Sequence, residues 1–205
     1  LEDPIEYELD GIVQVQINPT IGLTFAAGLR SMLRHDPNVM MVGEVRDPET
    51  AELAIRVALT GHLVISTLHT SDAASGITRL MDMGIDPYLI ASSVECIVAQ
   101  RLVRLLCPSC KEEAASRMPD GGKTYRAKGC NACHRTGFRG RCAIYEFFLL
   151  SQPIKDLIIQ KCSGDAIRRA AVEVGMQTMR ENGWEKVKIG LTTLDEVLRV
   201  TQAEQ

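Results

Sequence analysis

Apolar residues along the first half of the chain fall into blocks with two alternating periods. "IVQVQI", Ile12 to Ile17, alternates apolar and polar positions, which predicts a half-buried strand. In "TFAAGLRSMLRHD" the residues Phe25, Leu29, Met32 and Leu33 recur on one helical face. Thr24 is placed as the N-cap, and Asp36-Pro37 ends the helix. "NVMMVG" is a continuous apolar run, as expected of a strand buried on both faces of a parallel sheet. "DPETAELAIRVALTG" predicts a helix capped by Asp47, with Pro48 in its first turn and Gly61 at its stop. "HLVISTLH" reads as a second buried strand, and "SDAASGITRLMDMG" as a helix ending at Gly84. Asp86-Pro87 then opens an apolar segment expected to stay helical to about Leu106. Strands alternating with helices in this way imply a parallel α/β sheet.

The pattern changes after Cys107. As far as Cys142 there are cysteines, glycines and basic residues without a long periodic segment, and "SRMPDGGKTY" reads as a loop. Four short helical patterns follow, near 154–161, 165–174, 176–188 and 194–201. Thr193 and Glu196 form a capping-box pair at the start of the last. The expected division is 1–104, 105–142 and 143–205.

In open parallel sheets, ligands gather at the carboxyl ends of the strands. "VMMVGEVRD" delivers Glu44, Arg46 and Asp47 there, and "HLVISTL" delivers His69, with His62 at its opposite end. "LEDP" places Glu2 and Asp3 just before Pro4. A carboxylate at the tip of a buried strand can hold Mg²⁺ or polarise an attacking water. Asp47 is more simply a helix cap, and a lone histidine is ordinarily a core or loop residue. The convergence of three such segments is what gives them weight.

Composition narrows the reading further. Apolar residues make up 45% of the 205 positions, enough for a globular core. No apolar run approaches the ~18 residues of a membrane span, so a soluble chain is expected. The net charge of −3 excludes little. Its distribution matters more: Arg101 to Arg141 holds ten Lys and Arg against three Asp and Glu, a basic segment on an acidic body. Seven cysteines, with no secretory signal, argue for a reducing compartment rather than a disulfide framework. Four of them, Cys107, Cys110, Cys130 and Cys133, have the spacing C-x₂-C-x₁₉-C-x₂-C of a structural zinc site. A redox pair and a metal-free reduced state are the alternatives. Cys96 and Cys162 read as helix-face residues, Cys142 follows the "GFRGR" turn, and His134 reads as a bystander.

These stretches, "EDPIEY", "LRSMLRHDPNVMMVGEVRDPETAE", "TGHLVISTLHTSDA", "CPSC" and "CNACHRTGFRGR", occur in the order seen in the secretion and pilus-assembly ATPases. The chain resembles the GspE/PulE/PilB family of type II secretion and type IV pilus motors over essentially its whole length. The resemblance implies a partial RecA-like P-loop ATPase core, a tetracysteine zinc module and a small C-terminal helical domain. It places Glu2 and Asp3 on the family's Asp box, and Glu44, Arg46 and Asp47 on its Walker B motif. His62 and His69 fall on its His box, near the nucleotide phosphates. His35 stands where the family commonly has Gln. The implied roles are catalytic for Glu44, Glu2 and His69, and cofactor-binding for Asp3, Arg46 and His62.

No G-x-x-x-x-G-K-[ST] occurs in the sequence, although a P-loop's backbone N–H groups and Lys are what hold the β- and γ-phosphates. The chain therefore reads as the C-terminal half of an ATPase. Alone it is expected to bind ATP poorly and, with a sheet edge exposed, to dimerise, swap or aggregate. The resemblance implies a hexamer with ATP, Mg²⁺ and Zn²⁺, cytoplasmic and peripheral to the inner membrane. Its partners would be platform proteins of that membrane, with contact to anionic lipid also open. "ASSVECIVAQRLVRLLCPSCKE" looks more like the secretion branch, and retraction motors lack the tetracysteine motif. The competing reading is a non-catalytic zinc-ribbon adaptor or nucleic-acid binder. Few aromatic residues, Tyr125 and Phe138, accompany the basic stretch to stack bases.

Overall fold

The computed structural model describes residues 1–118 and 121–201, and the side chains of 115–117 lie outside the description. The chain is α/β and forms two compact units. The first holds Leu1–Thr70, Ala74–Ile97 and Leu149–Ala170. The second holds Ser71–Ala73, Val98–Phe148 and Ala171–Gln205.

In the first unit, helix α1 (Phe25–Met32) starts where Thr24 accepts a hydrogen bond from Ala27 N–H, as its sequence predicts. Strand β1 (Val39–Val42) follows and pairs in parallel with β2 (Leu63–Ser66), from Val39 opposite Leu63 to Val42 opposite Ser66. Helix α2 (Pro48–Leu59) is the crossover between them. Its cap is Asp47, which accepts from Thr50 N–H at 2.8 Å, and Gly61 adopts the left-handed conformation just past its end. The core beneath joins Leu1, Ile17, Leu29, Met40, Val42, Ala54 and Val57. Helices α3 (Ala74–Asp82), α4 (Pro87–Ser93) and α5 (Gln152–Ile159) also belong to this unit.

The two strands expected to be buried on both faces are not. Val39, Met41, Leu63 and Ile65 are exposed while Met40 and Val42 are buried, so β1 alternates. The apolar run satisfies one packed face; the other meets solvent. "IVQVQI" forms no strand. Ile12 and Val13 are exposed, and the segment makes a single parallel bridge, Gln16 with Glu2. Alternation alone did not supply a partner ladder.

The predicted long helix after Pro87 is also two elements. Helix α4 ends at Ser93, Val94 turns extended, and strand β3 runs from Cys96 to Leu106. Here Ala99 and Val103 are buried, and Leu102 exposed. Cys96 accordingly lies exposed on a strand, and Cys162 in the turn after α5, neither on a helix face.

In the second unit, β3 pairs with β6 (Phe138–Leu149). Strands β4 (Lys111–Arg117) and β5 (Lys123–Ala127) form an antiparallel hairpin. The two ends of the predicted loop "SRMPDGGKTY", Ser116–Arg117 and Lys123–Tyr125, are thus strand, and its Pro119 and Asp120 lie outside the described residues. Helix α6 (Gly164–Glu173) lies in the first unit as far as Ala170, and α7 (Met179–Lys188) and α8 (Leu194–Thr201) lie in the second. Helices α7 and α8 approach so closely that a Cβ on Gly183 would lie 2.5 Å from Val197 Cγ1. Thr193 caps α8 by accepting from Glu196 N–H, but Glu196 turns its own side chain to Arg104 and Arg199 instead of closing the predicted box. Among the described residues, no helix is long and apolar enough to cross a membrane.

Candidate functional site

The carboxyl end of β1 is built by backbone pairing on both sides. Gly43 N–H donates to Leu1 C=O at 2.8 Å, and the Leu1 amino group donates to Met41 C=O at 2.8 Å. Beyond Leu1–Glu2 lies the next segment, with Ile17 N–H donating to Glu2 C=O at 2.9 Å. On the other side Val45 N–H donates to Thr67 C=O, and the Thr67 hydroxyl donates to Gly43 C=O at 2.7 Å. Gly43 permits this close passage, because a Cβ there would sit 3.0 Å from Leu1 O.

This arrangement gathers the strand-tip residues. Glu44 follows Gly43, and its side chain is only 11% exposed. Its Oε2 accepts from Arg46 Nε and lies 3.1 Å from His69 Nε2. Burial works to raise the Glu44 carboxyl, but His69 and Arg46 outweigh it and hold it below the usual carboxylate range. Glu44 is therefore ionised at neutral pH, suited to ordering a cation or water rather than to acting as a strong base. Arg46 and His69 are mostly exposed, so the cluster is open on one side.

Glu2 joins this end through its backbone beside Gly43, with its Cα 3.4 Å from the place a Gly43 Cβ would occupy. Its Oε2 accepts from Gln14 Nε2 at 2.7 Å. Asp3 is exposed next to it. Asp47 is a cap, both carboxylate oxygens being taken by Thr50. His62 is not brought to the cluster. It precedes β2, where its Nδ1 lies 3.0 Å from Thr60 Oγ1 and 3.3 Å from Val57 O, and the length of β2, about 13 Å, separates it from Glu44's end. Gln14 and Thr67, which buttress the cluster, were given no role by the sequence; their hydrogen bonds to Glu2 and Gly43 reveal them.

The second cluster is complete in itself. The Sγ atoms of Cys107, Cys110, Cys130 and Cys133 all lie within 4.8 Å of one another. Three of the separations are 3.8 or 3.9 Å. Four sulfurs around one tetrahedral ion stand about 3.8 Å apart when each metal–sulfur bond is ~2.3 Å, so these residues fit a tetrahedral metal ion. Cys107 N–H donates to Gly137 C=O at 2.9 Å, tying the two pairs together. Gly129 and Gly137 are left-handed, and a Cβ on either would meet backbone or Ala127 at 2.5 Å. Cys133 is held down at about 6 by the Cys130 N–H, against burial and aided by the Gly137 N–H. Burial, with the neighbouring thiols, pushes Cys110 up to about 12. A divalent cation is what would let such crowded thiols ionise together. His134, left-handed beside Cys133, is not among the grouped ligands.

The family described as "Type II/IV secretion system protein" matches residues 1–199. Type II secretion system protein HxcR of Pseudomonas aeruginosa is 50% identical over 98% of this chain. Type II secretion system ATPase E of Vibrio cholerae is 47% identical over 98%, and the type IV pilus assembly ATPase PilB of Myxococcus xanthus is 45% identical over 100%. The chain spans about two fifths of the length of these relatives, 42%, 42% and 38% in the same order. Among solved structures, the pilus retraction motor PilT with bound ADP superposes with a TM-score of 0.71 at 29% identity, covering 98% of this chain and 51% of that one. The ATPase DotB of Legionella pneumophila shares the fold, with a TM-score of 0.69 at 24% identity over 98% of this chain and 50% of that one. Matched over nearly its whole length, the chain belongs to the type II/IV secretion system protein family.

Proposed function

We propose that the chain is the C-terminal portion of a motor ATPase that hydrolyses ATP to power type II protein secretion, through pseudopilus assembly, or type IV pilus extension. The observation that carries this reading is the meeting of Glu44, His69 and Arg46 at the tip of β1, with Glu2 next to the Leu1 carbonyl that accepts from Gly43 N–H. Relatives that are secretion and pilus ATPases support it.

In this reading Glu44 orients the attacking water or a Mg²⁺ ion, with Glu2 and Asp3 beside it. His69 fixes the Glu44 carboxylate, and Arg46 lies near phosphate charge. When bound, Mg²⁺ neutralises charge that develops on the phosphates. His62 acts on nucleotide only from a neighbouring subunit or after rearrangement, since within one chain it lies at the far end of β2. Residues 1–104 carry the nucleotide chemistry, 105–142 carry a structural Zn²⁺ on four cysteines, and 143–205 form helical support. The complete protein works as a cytoplasmic hexamer, peripheral to the inner membrane, with catalytic sites between subunits and platform proteins as partners.

The test is phosphate release from ATP, measured with the full-length protein and with this 205-residue chain. Mg²⁺-dependent turnover by the former and none by the latter is expected. A full-length protein that releases no phosphate but binds RNA or DNA at micromolar concentration would favour the adaptor reading and sink this one.

A further inference from the structure

The backbone of Glu2 is held by its neighbouring segment, and its side chain by Gln14. Glu2 N–H donates to Val15 C=O at 3.1 Å, and its C=O accepts from Ile17 N–H at 2.9 Å. Backbone pairing alone leaves the Glu2 carboxyl free to swing about its side-chain bonds. Gln14 removes that freedom by donating from Nε2 to Glu2 Oε2 at 2.7 Å. The other carboxylate oxygen, Oε1, has no hydrogen-bond partner among the described residues.

The rest of the Gln14 amide is spent on one loop of the same compact unit. Nε2 also donates to Tyr7 C=O at 3.0 Å, and Oε1 accepts from Leu9 N–H at 2.7 Å. These three bonds fix which way the amide faces, because turning it over would set its oxygen against a carboxylate and a carbonyl. The loop has little packing of its own to hold it: Tyr7, Leu9, Ile12 and Val13 are all exposed. Within it, Ile12 N–H donates to Leu9 C=O at 3.3 Å. One half-buried side chain therefore joins the loop at Tyr7 and Leu9 to the carboxylate of Glu2.

We propose that Gln14 is a positioning residue for Glu2: its amide pins Oε2, fixes where Oε1 is presented, and is itself braced by the loop at Tyr7 and Leu9. The inference rests on the catalytic reading of Glu2 given above. Gln14 touches no nucleotide in this account and acts through the Glu2 carboxylate. A neutral donor suits this task. Arg46 meets Glu44 with a full positive charge, whereas Gln14 orients Glu2 and leaves its charge available to a cation or water.

The experiment uses the full-length protein and its ATPase kinetics. Gln14→Met keeps the length of the side chain and removes its hydrogen bonds. The expected result is a kcat about 10-fold lower with little change in KM for ATP, as for a catalytic group that has lost its orientation. Gln14→Glu keeps an acceptor for Leu9 N–H but turns a carboxylate oxygen towards Glu2, and should lower kcat at least as far. In a Glu2→Ala background neither substitution should lower the rate further, because both act on one group. Should Gln14→Met lower Tm sharply, Gln14→Glu, which retains the tie to Leu9, carries the test. If Glu2→Ala alone leaves turnover intact, the catalytic reading of Glu2 falls, and the inference with it. If Glu2→Ala is impaired but both Gln14 variants turn over like the wild type, or their losses multiply that of Glu2→Ala, the positioning role alone is overturned.

Discussion

The strand-tip cluster and the four-cysteine cluster are opposite ways to build a site. The cysteines lie within one stretch of chain, face one another at metal-ligand distance, and are locked by glycines whose backbone no other residue could adopt without displacement. The Glu44 cluster draws on three segments, is pinned by backbone pairing at Leu1, Gly43 and Thr67, and opens to solvent through Arg46 and His69. One is closed and self-sufficient, as a structural metal site requires. The other holds an ionised carboxylate at the edge of an open space, where a ligand that the chain itself does not supply can meet it. Closure belongs to stability and openness to chemistry, and the two should respond differently to perturbation.

The largest effect should come from the closed site. If the site holds zinc as proposed, Cys130→Ser or a chelator discards a metal whose binding free energy in small structural sites is ~10 kcal/mol or more. Hydrogen exchange should show loss of protection over 107–138 while β1 and β2 stay protected, and metal analysis should show the loss of one zinc per chain. A protected module without metal would break the comparison, because the cysteines would then be packing residues only.

Next is Glu196 on α8, whose side chain is 4% exposed. Arg104, bonded to it at 2.6 Å, is the main reason its carboxyl sits at about 2; burial opposes this and Arg199 assists. The folded value lies below the ordinary 4.5. The pair therefore stabilises the fold above about pH 4.5, and that contribution is lost as pH falls from there towards 2. Its size is about 2 kcal/mol, allowing for two half-exposed arginines. Tm measured against pH for the wild-type chain and Glu196→Gln should differ at pH 7 and converge near pH 2. A difference that persists at the acid end would mean that packing, not charge, holds Glu196.

The smallest effect should come from Asp47. As a cap bonded to Thr50, it should lose about 1 kcal/mol of stability on Asp47→Ala, read as a modest fall in Tm. The same change in the full-length protein should lower ATPase activity far less than a change at Glu44. A loss as large as that of Glu44 would move Asp47 from the fold to the chemistry.

What could be read in the sequence divides along the same line. Caps and stops were legible because they are local: Thr24, Asp47, Gly61 and Gly84 act within one turn. The cysteine spacing was legible because geometry follows from short sequence separation. Pairing between distant segments was not. "IVQVQI" alternates like a strand yet contributes one bridge, and β3 reads like a helix because "IVAQRLVRLL" fits both periods. Only the cross-chain partner decides such cases. At the strand tip, Gln14 and Thr67 were invisible, since each acts through a hydrogen bond to a residue far away in sequence.

The central claim is that Glu44 works on the nucleotide after it is bound. Its most direct test measures ATP affinity and turnover together in the full-length protein and its Glu44→Gln variant. The account predicts an ATP Kd within a few-fold of wild type and a kcat lower by about 10²-fold or more. A variant that hydrolyses ATP at the wild-type rate, or that loses binding and turnover in equal measure, would contradict it.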